Sequence, residues 1–464
     1  MTEGLPFPRR YLAIGAVSFG TGLVVIDGGI PSVALPTIAA DLQVDNSAAV
    51  LVVTIYQLVL VMTLLPFSAL GDRIGHRRLY QGGLVLFAVA TLLCFFARSL
   101  PFLLVVRAVQ ALGAAAVLSV SSALIRSIYP ANHLGRGLGI NSVVVSSSAA
   151  LAPTLGGLIL AVAPWPWVFA AGLPLCLLSL VLGRSLPATP PRDEPFDLLG
   201  AVLCASMFGL IISGLESGVH GDSPVVSAAI IAAGLIVGFF FVRKEIGEPR
   251  PILPVDLLAQ PVFALSTMGA FTAFVASMTL ILSMPFRLQH GFGFTPSEVG
   301  AALAPWPLTT MFVAPAAGAL SDRVPAGLLG GIGMALATVA LLLVAYLPPD
   351  PGIVDIGWRM ALCGAGFGLF LSPNARLIIG SAPRERAASA GGLISTTRMI
   401  GQTTGATLVA ALLAFGIGGG KTPALISAGL AVLAGLCSVA RLNPSIRRPR
   451  PEEIRNSQPG QQVN

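Results

Sequence analysis

Long stretches of this chain carry no charge at all, and that limits its fold more than any single motif. Residues 48–70 and 79–97 contain no Asp, Glu, Lys or Arg, and one short charged knot lies between them, Gly71-Asp72-Arg73-Ile74-Gly75-His76-Arg77-Arg78. Further uncharged runs occupy 137–183, 223–242, 257–286, 299–321, 324–349 and 422–440. As a helix rising 1.5 Å per residue, each can cross a hydrocarbon layer of about 30 Å. Charged residues make up 10% of the chain, against about 25% in an ordinary soluble domain.

A second copy of the knot's core, Gly318-Ala319-Leu320-Ser321-Asp322-Arg323, again separates two uncharged runs. A helix–charged turn–helix unit repeated so far along a chain indicates two homologous membrane halves, a plan that many secondary transporters build around a midplane site. Run 137–183 is too long for one crossing and is divided at Pro164-Trp165-Pro166-Trp167, a turn with interfacial aromatics. The first apolar segment carries Asp27 and lacks a cleavage site, so it reads as helix 1 rather than a signal peptide. Fourteen crossings are expected, at about 11–33, 48–70, 79–97, 101–125, 137–163, 167–185, 197–217, 224–243, 262–286, 297–320, 327–347, 356–379, 387–415 and 423–441.

Most of the 27 basic residues fall on one side of that arrangement, from Arg9 and Arg10 through Arg73, Arg77 and Arg78 to Arg441 and the tail. Arg98, Arg287, Arg359 and Lys421 lie at the other side, and Arg107 and Arg398 fall inside helices. By the positive-inside rule both termini are cytoplasmic, which requires an even number of crossings. The net charge of +7 therefore reports orientation; spread over short loops, it forms no basic stripe for nucleic acid. Residues 442–464, rich in proline and polar side chains, read as a disordered tail. The five cysteines lie in expected helices and the four histidines in loops, without metal-ligand spacing, a phosphate loop or a nucleophile motif. No enzyme activity, cofactor or metal is expected.

Charges inside the membrane then become the candidate site. Asp27 lies about 24 Å along helix 1 from Tyr11, which places it in the outer part of the membrane. A carboxylate withdrawn from water can hold a proton or a cation in turn, the competition that a proton-coupled exporter of cations needs. The alternative is a plain ion pair, or a cap on the Gly28-Gly29 break. Arg107 lies about 9 Å into helix 4 from Pro101, a comparable depth, so an Asp27–Arg107 pair is geometrically possible; a snorkelling arginine is its alternative. Arg359 holds the matching place in the second half, and Arg398 has no acid on its own helix, which leaves a cavity, backbone carbonyls or an anionic group to face it. Tyr56, Gln57, Asn141 and Asn374 can offer hydrogen bonds to a substrate or between helices.

Several motifs carry a resemblance. Gly71-Asp72-Arg73-x-Gly75-x-Arg77-Arg78 resembles the cytoplasmic loop motif between helices 2 and 3 of the major facilitator superfamily. Arg107-Ala108-Val109-Gln110-Ala111-Leu112-Gly113 is similar to its proton-linked helix-4 motif, and Gly139, Pro153, Gly156 and Gly157 follow the spacing of its antiporter motif. In that motif Ser148 and Ala152 stand where the pattern has glycine. Asp27-Gly28-Gly29-Ile30-Pro31 with Ala34-Leu35-Pro36, and Arg398 with Gly401 and Gly405, resemble patterns of the fourteen-helix drug:proton antiporters.

The resemblance implies an all-α membrane fold of two six-helix halves, 1–190 and 256–441, with a helix pair inserted at 191–255 and a tail at 442–464. It implies a monomeric, proton-coupled exporter of hydrophobic, cationic drugs in the cell membrane, working by alternating access. Asp72 and Arg73, at helix ends, can latch the halves through ion pairs or a helix N-terminus, with Asp322-Arg323 as a weaker counterpart. Gly139, Pro153, Gly156 and Gly157 read as close-packing positions that restrict leak. Two rivals stand beside this reading: a proton-coupled transporter of an anionic metabolite or lipid, and a membrane-embedded enzyme or sensor.

Overall fold

In the computed structural model the uncharged runs are helices joined by short turns; the structure describes residues 4–130, 134–188, 197–219, 224–246, 258–321, 323–381 and 387–443. Chain order gives α1 (Arg9–Gly29), α2 (Pro31–Asp41), α3 (Asn46–Ile74), α4 (His76–Leu93), α5 (Leu100–Ile128), α6 (Leu134–Val162), α7 (Pro166–Ala170) and α8 (Leu173–Leu182). Then follow α9 (Leu198–Val219), α10 (Pro224–Glu245), α11 (Pro261–Phe286), α12 (Pro296–Leu303), α13 (Pro305–Leu320), α14 (Ala326–Ala345), α15 (Ile353–Ser381), α16 (Ala387–Ala414) and α17 (Thr422–Ala440). Six of these begin at proline, whose missing N–H would have had no helical partner there anyway. Among the described residues twelve helical segments are long and apolar enough to cross a membrane. At the fifth and thirteenth expected crossings stand α6 and α16, of 29 and 28 residues.

One expected boundary changes. The first crossing does not end near residue 33: α2 continues from α1 to Asp41 with helical backbone at Ile30. Pro31 lacks the N–H that would bond the Asp27 carbonyl, and the Ser32 hydroxyl donates to the Gly29 carbonyl at 2.6 Å. Asp27 is then about 27 Å along the helix from Arg9 and about 21 Å from Asp41, nearer the arginine-poor end.

The two sequence halves repeat their packing. Helix α4 crosses α5 where a Cβ on Gly83 would lie 2.8 Å from the Gly113 carbonyl oxygen; α14 crosses α15 where one on Gly333 would lie 2.7 Å from that of Gly366. Only glycine lets the backbones approach so closely, and both sites occupy the same place after each charged turn. Three large apolar clusters follow. One is made almost wholly of first-half helices and one almost wholly of second-half helices. The third joins Ile26, Ile30 and Leu35 to Met278, Leu282 and Phe286 of α11 and to Ala406 and Ala410 of α16. That shared cluster lies toward the arginine-poor face, so the halves are sealed together there.

Helices α9 and α10 form a hairpin, and α9 packs on both α3 and α16. Asp197 caps α9 by accepting from the Gly200 amide at 2.9 Å and pairs with Lys244 at the end of α10. Partial burial pushes the Asp197 carboxyl up, but the Lys244 ammonium and the Gly200 amide outweigh it and hold the group below its ordinary value.

Candidate functional site

Nearer the arginine-poor ends of their helices, α1, α3, α4 and α5 bring together Asp27, Tyr56, Thr91, Arg107 and Gln110, all nearly inaccessible to solvent. Arg107 Nη1 donates to Asp27 Oδ2 at 2.8 Å and to Gln110 Oε1 at 2.6 Å, and its Nε donates to the Val52 carbonyl at 3.3 Å. Gln110 Nε2 donates to Asp27 Oδ1 at 3.0 Å and to Thr91 Oγ1 at 2.8 Å. Both carboxylate oxygens are thus engaged. The guanidinium also lies over the rings of Tyr56, at 4.2 Å, and Phe169, at 5.1 Å.

This cluster is a neutral pair in a low-dielectric setting, costly to break by removing one partner. Yet it is not saturated: Arg107 Nη2 and Gln57 Oε1 are buried without a hydrogen-bond partner, while the Tyr56 hydroxyl lies beside Asp27. Gln57 Nε2 reaches across to Met278 Sδ of α11 at 4.0 Å, so the open polar atoms border the seam between halves. A proton, or a cationic group of a substrate, can compete with Arg107 for Asp27 at this position.

Sequence reasoning put forward Asp27, Arg107, Tyr56 and Gln57 as site residues; Gln110 entered only as part of the helix-4 motif, and Thr91 and Phe169 not at all. For Gln110 a signal existed: it lies three residues after Arg107 in an apolar helix, on the same face. Thr91 and Phe169 had none, because their helices reach the site only in three dimensions.

Other candidates lie elsewhere. Arg359 pairs with Asp355 one turn earlier on α15, beside Trp358 at the arginine-poor end. Asn141 accepts from the Thr21 hydroxyl at 2.7 Å, joining α6 to α1. Asn374 donates to the Ser266 carbonyl at 3.0 Å and accepts from Arg441, a buried arginine that the sequence reading had placed at the cytoplasmic face. Arg287, expected at the opposite face, is buried and donates to the Val344 and Ala345 carbonyls at the C-terminus of α14. Arg398 is half-buried on α16.

In the charged knot, Gly75 has φ +97°, a conformation that favours glycine, and turns the chain from α3 into α4. Asp72 Oδ1 lies 3.0 Å from His76 Nε2, Arg77 donates to the Leu186 carbonyl at 3.3 Å, and Arg73 and Arg78 are exposed. Gly71 packs so that a Cβ would meet Val120 at 2.5 Å. In the second copy, Arg376 donates to the Gly318 carbonyl at 3.2 Å and to Ser321 Oγ at 2.9 Å, and Arg323 is exposed. Asp322 lies outside the described residues. At the antiporter-like positions, a Cβ on Gly156 would lie 3.1 Å from the Ile30 carbonyl oxygen and one on Gly157 2.7 Å from that of Pro296. The Pro153 carbonyl oxygen is 2.6 Å from where Gly300 would carry a Cβ, which joins α6 to α12 across the halves. Gly139 falls in α6, in a stretch whose surroundings lie outside the described residues.

Comparison with known proteins agrees with this architecture. The family model of the Major Facilitator Superfamily matches residues 17–406. The chain is 45% identical to the uncharacterized transporter YebQ of Escherichia coli K12, over 95% of this chain and 97% of that one. It is 28% identical to the riboflavin transporter RibZ of Clostridioides difficile, covering 84% of this chain and 85% of that one. To the methyl viologen resistance protein SmvA of Salmonella typhimurium LT2 it is also 28% identical, covering 87% and 83%. A solved bacterial homologue of the human lysosomal transporter Spinster, inward-facing and unoccupied, superposes with TM-score 0.70 at 18% identity, covering 96% of this chain and all of that one. This multi-pass membrane protein is a transporter rather than an enzyme, and it belongs to the Major Facilitator Superfamily.

Proposed function

We propose that the protein is a proton-coupled secondary exporter of hydrophobic drugs or toxic metabolites, lipophilic cations first among them. The observation that carries this reading is the buried Asp27–Arg107–Gln110 cluster, bordered by unpartnered polar atoms along the seam between halves. Asp27 takes a proton arriving from outside, which releases Arg107; on the inner side it returns the proton and can accept a cation. Resemblance to SmvA and to other relatives named for multidrug resistance supports a drug cargo. On the arginine-poor face the halves are sealed together, as an inward-open state requires if the arginine-rich face is cytoplasmic.

The same reading takes all fourteen helices as crossings, α6 and α16 included, with both termini in the cytoplasm of a cell-membrane protein that works as a monomer. It divides the chain into halves 1–190 and 256–441, an inserted pair at 191–255 and a tail from 442. Asp72 and Arg73, with Asp322 and Arg323, act as latches between the halves. A second reading, an anionic or lipid cargo, is favoured by Arg398, a membrane-embedded cation to which no ion pair among the described residues belongs.

The test uses inside-out vesicles energised to an acidic interior and given ethidium. Dye-dependent proton release in the wild type, lost in Asp27→Asn, is the expected result. Equal release from both would remove Asp27 from the coupling step. No release from either would reject the cationic cargo.

A further inference from the structure

The geometry points to Arg398 as a second subsite in the transport path, one that receives an acidic group of the cargo: a carboxylate, sulfonate or phosphate. It rests on the exporter reading for the cargo's route, while the subsite itself is defined by residues that reading does not use.

Helical phase fixes where Arg398 points. On α16, Met399 packs into the cluster that holds Tyr56 and Leu60 of α3, and Ala406 and Ala410 pack with Val50 and Val53. Gly401 and Gly405 face α11, against Phe274 and Met278. At 100° per residue Arg398 lies about 60° round from Gly401 and about 100° from Met399, between the two directions. Its side chain therefore enters the wedge between α3 of the first half and α11 of the second. That wedge is the same one that Gln57 and Met278 close one level away.

Accessibility agrees. Arg398 is half-buried, yet no described position of α16 from Leu393 to Leu413 is fully exposed. Its remaining surface thus belongs to the interior wedge and not to lipid. Its Nε is buried without a hydrogen-bond partner, as are Gln57 Oε1 and the Thr396 hydroxyl.

Charge then selects the ligand class. Asp27 is committed to Arg107 and Asp355 to Arg359, so neither neutralises Arg398. An arginine at mid-membrane without a counter-ion is expensive, and a planar guanidinium matches a carboxylate or phosphate in two-point hydrogen bonding. The missing counter-ion arrives with the cargo. Zwitterions and amphiphilic acids then bind across the seam, their acidic group on α16 and any cationic group toward Asp27. A cargo without an acidic group uses the Asp27 side alone.

Rhodamine B and its ethyl ester carry the same ring cation and differ in one carboxylate, so they isolate the contact. Binding of each is measured by fluorescence anisotropy to the purified full-length protein and to Arg398→Gln. The wild type is expected to hold the free acid about tenfold or more tightly than the ester, the scale of a charge-assisted hydrogen bond, and Arg398→Gln to remove that difference. Equal binding of both dyes to the wild type, or failure of the free acid to bind, overturns the subsite, and this holds even where the variant does not fold. A difference that persists in Arg398→Gln overturns it as well. If the difference is present but neither dye moves under a proton gradient in proteoliposomes, the exporter reading fails while the subsite stands.

Discussion

Asp27 and Arg107 hold each other at 2.8 Å in a place that water does not reach. Removing one partner leaves a buried charge without compensation, which costs about 3–5 kcal/mol. Arg107→Met alone is thus expected to destabilise the purified protein on that scale in thermal unfolding, and Asp27→Asn with Arg107→Met to recover part of the loss. The amide of Gln110 has a different task. It joins Asp27 Oδ1 to the Thr91 hydroxyl, so Gln110→Leu strands two acceptors at about 1–3 kcal/mol. The variant is expected to shift the pH profile of dye-driven proton release, since the carboxylate loses a donor that steadies its ionised form. An unchanged profile would make Gln110 a packing residue only. Of these residues the aspartate and arginine were legible in the sequence because charge inside an apolar run is conspicuous. Thr91 and Phe169 were not, because an apolar helix tolerates both without any functional reason.

Among the elements, the seam between α6 and α12 depends on the absence of side chains. A Cβ on Gly300 would meet the Pro153 carbonyl at 2.6 Å and the Gly157 Cα at 3.3 Å. Backbone on both sides cannot yield, so Gly300→Val is expected to hold the arginine-poor face apart. A cysteine placed at Gln289 then reacts faster with a membrane-impermeant maleimide; an unchanged rate would show that the seam does not set the opening. The α9–α10 hairpin is held at one end by Asp197 and Lys244. Because the folded state keeps the Asp197 carboxyl below its ordinary value, the pair contributes above that ordinary value and its contribution is lost as pH falls through the lowered one. Partly exposed, it is worth under about 1 kcal/mol, and Asp197→Asn should cost no more. The helices themselves, including the pair α9 and α10, could be read from uncharged length. Their kinks could not: α2 prolongs the first crossing past Pro31, with helical backbone kept at Ile30 and the Ser32 hydroxyl bonded to the Gly29 carbonyl.

For the molecule as a whole, the decisive property is the apolar cluster that early and late helices share toward the arginine-poor face. Gln289 donates to the Val33 carbonyl at 3.2 Å, beside the shared apolar cluster that joins α2 and α11. Bridging cysteines at 33 and 289 with a short bis-maleimide is expected to stop transport, while each single variant treated alike continues. Transport that survives the bridge would mean this face need not open. Composition and uncharged runs settled by themselves that this chain is helical and spans a membrane many times, because lipid leaves a backbone few alternatives, and the paired charged turns gave the expectation of two halves. Intramembrane charges likewise marked Asp27, Arg107 and Arg398 as candidates. Only the tertiary structure decided which of them meet. Arg107 found Asp27 through packing of α1 on α5, Arg359 closed on its own helix, and Arg398 was left without an ion pair among the described residues. Spacing along a chain fixes the depth of a charge in a helix, but its partner depends on how neighbouring helices rotate and approach, and that is set by glycines and side-chain shape across every interface.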